Sequence, residues 1–176
     1  RLEIMKLSIG MIVKNEERYL RRCLDAIRPI LEQVDSELII ADTGSTDSTV
    51  DIAREFTEQV FFFEWCNDFS AARNWTLERA RGEWFMSLDA DEIFEDVSEL
   101  ISFFNSGEYK KYNSATYVIR SSNKEDLSTY SDFDALRLGL IGKDTRYTGR
   151  IHETMPYYEP TKKLGSTAIH YGYISE

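Results

Sequence analysis

Asp89 and Asp91 stand where an apolar run, Trp84-Phe-Met-Ser-Leu88, gives out, with only Ala90 between them. In extended backbone, residues two apart point the same way, so both carboxylates can converge on one small volume. Two carboxylates that close repel, and one would tend to keep a proton. A hard divalent cation removes that cost, since oxygen ligands suit magnesium, manganese or calcium. Two other readings stay open at this level. The pair can start a turn or cap a helix, roles that favour Asp, or Asp89 can be the nucleophile of an aspartyl-phosphate enzyme. An EF-hand loop counted from Asp89 is excluded, because its obligatory Gly and Glu positions hold Phe94 and Leu100.

The elements that must position this pair can be read from periodicity. Leu7 to Val13 is a short apolar run followed by Lys14-Asn15-Glu16-Glu17, a buried strand and its loop. Leu20, Cys23, Leu24, Ile27 and Leu31 recur at helical spacing, with Pro29 expected to disturb the helix near its end. Glu37 to Ala41 is the next strand, Asp42 to Asp47 a cluster of turn formers, and Ser48 to Phe56 a second helix. Val60 to Phe63 is a third strand, Asn67-Asp68 precede a helix carrying Ala71, Ala72, Trp75 and Ala80, and Gly82 closes it before the acidic strand. Strand and helix in alternation predict an α/β fold with a mostly parallel central sheet flanked by helices. Ligands of such sheets collect at the carboxyl ends of the strands, which brings the loops at Lys14, Asp42 and Asp89 to one edge.

Past about residue 105 the pattern changes. A helix over 97–104 is followed by extended runs at 115–120, 135–141 and 167–173, with no Pro/Gly/Ser-rich linker. This predicts a mixed or antiparallel extension of the sheet, and one domain over residues 1–176. The chain stops on an apolar-aromatic run, as a fragment of something longer would.

Composition narrows the function classes. The net charge of -10 and the absence of any Lys/Arg run longer than two argue against nucleic-acid and anionic-membrane partners. No apolar segment approaches the roughly 20 residues of a membrane span, and no signal-peptide pattern opens the chain. With two cysteines, Cys23 and Cys66, neither a disulfide framework nor a zinc cluster is expected. A cytoplasmic setting fits, including the inner face of a membrane.

No P-loop, no G-x-G-x-x-G after the first strand and no G-x-S-x-G elbow is present. A phosphate ligand at this edge would therefore depend on a cation at Asp89 and Asp91. A metal-bridged diphosphate is a good leaving group, and sugar nucleotides carry one.

Six segments in order carry a resemblance: Leu7 to Val13 with Lys14-Asn15-Glu16, Ile40 to Asp47, Asp68 to Asn74, Gly82 to Glu92, Arg150-Ile-His-Glu153 and Ile169-His-Tyr-Gly-Tyr173. Together they resemble the family 2 inverting glycosyltransferases of the GT-A fold, the last two a bacterial branch. The resemblance implies a nucleotide-sugar donor, usually a UDP-sugar, with Mn2+ or Mg2+, and transfer with inversion to a glycan, lipid-linked or protein acceptor. Residues 1–105 would form the nucleotide-binding half and 106–176 the half that completes the metal and acceptor sites.

Residue by residue, the resemblance puts Val13, Lys14 and Asn15 beside the base, with Glu16 in the same donor-binding stretch, and Asp42 on the uracil or ribose. Many relatives have a second aspartate where this chain has Thr43, which carries no charge; Asp42 also reads as turn chemistry, and Asp47 as a helix cap. Arg73 reads as a diphosphate or acceptor contact or as a surface salt bridge, with Asn74 a weaker candidate. Asp91 would ligate the metal directly. Asp89 would bind ribose, or the metal through water, with Ala90 against the donor. His170 would complete the metal shell as a neutral imidazole, and His152 would orient Glu153 or contact phosphate.

Inverting transfer needs a carboxylate to take the acceptor's proton. Glu153 is preferred over Glu92, which lies beside the metal pair, although Glu153 can instead pair with Arg150. Residues 121–132 read as an acceptor loop. Beside transfer stand two alternatives, an aspartyl-phosphate phosphatase or phosphotransferase and a non-catalytic sugar-nucleotide binding module.

Overall fold

A computed structural model describes residues 3–124, 126–150, 153 and 158–172. Eight strands form one sheet: β1 (Leu7–Val13), β2 (Ser36–Asp42), β3 (Val60–Phe62), β4 (Trp84–Ser87), β5 (Glu92–Phe94), β6 (Ser114–Ser121), β7 (Ser131–Leu140) and β8 (Thr161–His170). Among the described residues four α-helices accompany them, α1 (Leu20–Gln33), α2 (Thr49–Arg54), α3 (Phe69–Glu78) and α4 (Ser98–Asn105), with one short 3-10 turn at Glu108–Lys111. The strand order is β3-β2-β1-β4-β7-β6-β8-β5. β3, β2, β1 and β4 run parallel, as their helical crossovers require, while β7 enters antiparallel to β4 and begins the mixed half.

β1 is buried along both faces, with Leu7, Ile9, Met11 and Val13 on one and Ser8, Gly10 and Ile12 on the other, because both are covered. Along β4 the alternation of side chains sorts two cores. Trp84 and Met86 enter the main one, with the buried face of α1 and with Phe103 and Phe104 of α4 edge-on to the indole. Phe85 enters a smaller one with Leu77 of α3 and Tyr147. Gly10 of β1 lies against Phe85, where a Cβ would stand 2.3 Å from the ring Cζ, so the strand accepts no side chain there.

Three expectations are corrected, and one strand adds to them. α1 continues through Pro29 to Gln33: the proline removes one backbone bond, while Ile27 and Ile30 on either side are held in the core. β7 starts at Ser131, four residues earlier than its apolar part, because its polar first half pairs with β6 through Ser121. β8 covers Thr161–His170 rather than 167–173. β5, a three-residue strand directly after the acidic turn, was not expected, and it pairs with β8 so that Glu92 faces His170 in register. The segment read as an acceptor loop is the β6–β7 connection. No helix among the described residues is long and apolar enough to cross a membrane.

Candidate active site

The parallel strands end on one edge, as the α/β pattern required. Asn15 in the first loop adopts a left-handed conformation (φ 52°) and accepts from the Thr46 amide at 2.8 Å, tying the loop after β1 to the loop after β2. Asp42 spends its carboxylate on that second loop, accepting from the Gly44 and Ser45 amides at 3.1 Å each. Asp47, one residue before the N-cap Ser48, accepts from the Thr49 amide at 2.9 Å at the start of α2 rather than capping it itself. Among the described residues, two clefts lie at this edge whose linings include neither Asn15 nor Asp42.

The first cleft, of about 300 Å³, is lined by Ile12, Glu16, Phe69, Arg73, Asp89, Ala90, Asp91, Glu153 and His170. It gathers seven residues named from the sequence, drawn from segments up to 154 positions apart (170 minus 16). The second, of about 340 Å³, shares Ile12, Glu16 and Phe69 and adds Val13, Lys14, Thr43 and Trp65. Trp65 packs edge-on to Phe69 with centroids 4.8 Å apart.

Arg73 organises the first cleft. Its helix begins at Asp68, whose side chain accepts from the Ala71 amide at 3.2 Å, and this directs Arg73 inward, where it is 6% exposed. Nη2 donates to Asp89 Oδ1 at 2.5 Å and Nε to Glu153 Oε1 at 3.3 Å. Nη1 is buried without a hydrogen-bond partner among the described residues. The surface-salt-bridge reading of Arg73 is therefore overturned by its burial, and Glu153 pairs with Arg73, not Arg150. Asn74 faces elsewhere, exchanging hydrogen bonds with the backbone of Tyr147.

A second guanidinium, Arg137 of β7, reaches Glu92 Oε1 at 3.0 Å and Asp89 Oδ2 at 3.5 Å. Glu92 is 1% exposed and also accepts from the Tyr117 hydroxyl at 3.2 Å. Its strand turns it into the core, so it does not line the cleft, and of the two carboxylates weighed as base only Glu153 does. Arg137 and Tyr117 were not picked out from the sequence. The available signal was one charge inside an otherwise apolar run, Ala135-Leu-Arg-Leu-Gly-Leu140.

The charges follow from these contacts. Burial opposes ionisation of Asp89, but Arg73 and Arg137 more than reverse it and hold the carboxyl well below its usual range. Burial, reinforced by Asp89, pushes Glu92 up, with Arg137 pulling the other way. Glu16 is raised to about 7 by burial and then by Asp91, Asp89 and Asp47. The hydrogen bond to Asp91 raises His170 above the ordinary imidazole value.

Asp89, Asp91 and Glu92 each offer a carboxylate oxygen within 4.8 Å of the others. Asp89 and Glu92 are held by guanidiniums, whereas the Asp91 Oδ2 faces His170 Nε2 at 3.1 Å. A carboxylate oxygen and an imidazole nitrogen this close are donors that one divalent cation can take together. His152 and Tyr173 lie outside the described residues.

The profile of glycosyl transferase family 2 matches residues 8–171. A TPR repeat-containing protein of Synechococcus elongatus is 35% identical over 181 residues, covering 96% of this chain and 42% of that protein. The chain thus spans less than half the length of that relative. Residues 1–349 of S. aureus TarS, crystallised with UDP-GlcNAc, align with a TM-score of 0.55 and 20% identity over 69% of this chain and 36% of that one. Glucosyl-3-phosphoglycerate synthase of Mycobacterium tuberculosis, crystallised with Mn2+ and UDP-glucose, aligns with a TM-score of 0.52 and 24% identity over 66% of this chain and 44% of that one. These likenesses show the GT-A fold.

Proposed function

The chain belongs to glycosyl transferase family 2, and from that premise we propose that it moves a sugar from a UDP-sugar to an acceptor hydroxyl with inversion at the anomeric carbon. The observation that carries this reading is the meeting of Asp91, His170, Asp89, Arg73 and Glu153 around one cleft. The solved neighbours crystallised with UDP-sugars lend it support.

In this reading the cleft shared by Val13, Lys14 and Thr43 takes the nucleoside, with Trp65 as a wall. The diphosphate and sugar occupy the cleft beside it. Asp91 and His170 hold the cation, which when bound offsets the negative charge building on the departing diphosphate. Arg73 keeps Asp89 ionised and in place, and its unpartnered Nη1 is available to an anionic substrate group. Glu153 takes the acceptor proton as the acceptor oxygen bonds to the anomeric carbon and the bond to the diphosphate breaks, with its electron pair leaving on the diphosphate. Residues 1–105 serve the donor, and 106–176 supply Glu153 and His170. The acceptor is a glycan, lipid-linked glycan or protein side chain.

Phosphoryl transfer through Asp89 is disfavoured, because both its oxygens are engaged by guanidiniums. The test is release of UDP from a panel of UDP-sugars with and without Mn2+. Release that requires Mn2+ and falls at least a hundredfold in Asp91→Asn supports the proposal. Equal release in the variant would refute it.

A further inference from the structure

Resting on the reading that Asp91 and His170 hold the cation, we propose that Tyr171 is a positioning residue: clasped against the start of α1, it straps residues 170–172 across the acidic turn and keeps His170 on Asp91. β8 ends at His170, so the ladder of the sheet no longer holds Tyr171 and Gly172. Other contacts do. The Tyr171 amide donates to the Asp91 carbonyl at 2.9 Å. The Tyr171 ring stacks on Tyr19, with centroids 5.4 Å apart and planes 25° from parallel. Arg22, one turn further along α1, holds its guanidinium 4.9 Å from the Tyr171 ring centre and its Nη2 3.4 Å from the hydroxyl.

Gly172 shows how closely the strap lies on the turn. A Cβ there would stand 2.3 Å from Asp91 Oδ2 and 2.8 Å from His170 Nε2, so a side chain would push apart the two groups that must converge. An aromatic stack and a cation–π contact together bias a short segment toward its docked position by roughly tenfold. That bias supplies part of the ordering that the cation would otherwise have to impose on His170, and it enters directly into affinity.

The test is Mn2+ titration of the chain, followed by the electron paramagnetic resonance of free Mn2+, for the wild type, Tyr171→Ala, Tyr171→Phe, Gly172→Ala, His170→Ala and the Tyr171→Ala/His170→Ala pair. Tyr171→Ala and Gly172→Ala weaken Mn2+ about tenfold. Tyr171→Phe, which keeps the ring, stays within about threefold of wild type, and Tyr171→Ala adds nothing once His170 is gone. If His170→Ala weakens Mn2+ but Tyr171→Ala and Gly172→Ala bind it normally, the strap is refuted and the cation site stands. If His170→Ala binds Mn2+ as the wild type does, both readings fall.

Discussion

Arg73 Nη2 stands 2.5 Å from Asp89 Oδ1, and the same guanidinium reaches Glu153, so one buried cation joins the acidic turn after β4 to a carboxylate 64 residues beyond Asp89 (153 minus 89). Replacing it takes a guanidinium partner from both carboxylates, leaving Asp89 with Arg137 alone. Arg73→Met is expected to lose about 2–3 kcal/mol of stability, a figure kept low because Asp89 is partly exposed. Urea unfolding measures it, and a loss below about 0.5 kcal/mol would show that the guanidinium is not holding the pair.

Arg137 makes a sharper case, since its partner Glu92 is wholly enclosed. Arg137→Met removes the guanidinium that pulls the Glu92 carboxyl down, so the buried group is expected to take a proton, and the lost contacts should cost about 1–3 kcal/mol. Arg137→Met/Glu92→Gln, neutral and of the same shape, should be no less stable than the single variant. A double variant less stable than the single one contradicts this account.

Much of the fold was legible in the sequence, and the reasons are local. Leu7 to Val13, Glu37 to Ala41 and Trp84 to Leu88 are buried on both faces, so their apolar runs declare them. The polar loops between them had to reach one edge once the order was strand, helix, strand. β5 was not legible because three residues carry no period, and its existence depends on β8, which arrives almost seventy residues later in the chain. The site divided in the same way. Asp91, Glu153 and His170 belong to recognisable motifs, whereas Arg137 and Tyr117 work through long-range pairing with Glu92 and have no local mark. Asp42 illustrates the opposite case, a motif residue whose carboxylate is used by its own turn.

Away from the site, Glu37 predicts the acid limb of stability. Burial pushes its carboxyl up, but the Ser8 hydroxyl at 2.6 Å, the Arg81 amide at 2.7 Å, and Gln59 and the Arg81 side chain at 3.0 Å each reverse this and leave it lowered. A lowered folded value means that its contribution is complete above the unfolded carboxylate range and is lost as pH falls through the folded value. Glu37→Gln should therefore be less stable by about 2 kcal/mol at pH 7, with the gap closing as the pH drops below about 4. An equal gap at pH 7 and pH 3 would contradict the assignment.

Gly10→Ala tests the packing between β1 and β4. The added methyl would overlap the Phe85 ring, and a loss of about 1–3 kcal/mol is expected, with Phe85→Leu in the same chain restoring part of it. Thermal melting of the three proteins decides the matter, and an unchanged melting point for Gly10→Ala would mean that the two strands can part without cost.

The central claim is that Glu153 removes the acceptor's proton in a cleft that binds the donor independently of it. The most direct measurement compares Glu153→Gln with the wild type for UDP binding in Mn2+ and for turnover of a donor that the wild type uses. The account predicts a UDP affinity within about threefold and turnover lower by about 10²- to 10⁴-fold. Turnover in Glu153→Gln within a few fold of the wild type would contradict it.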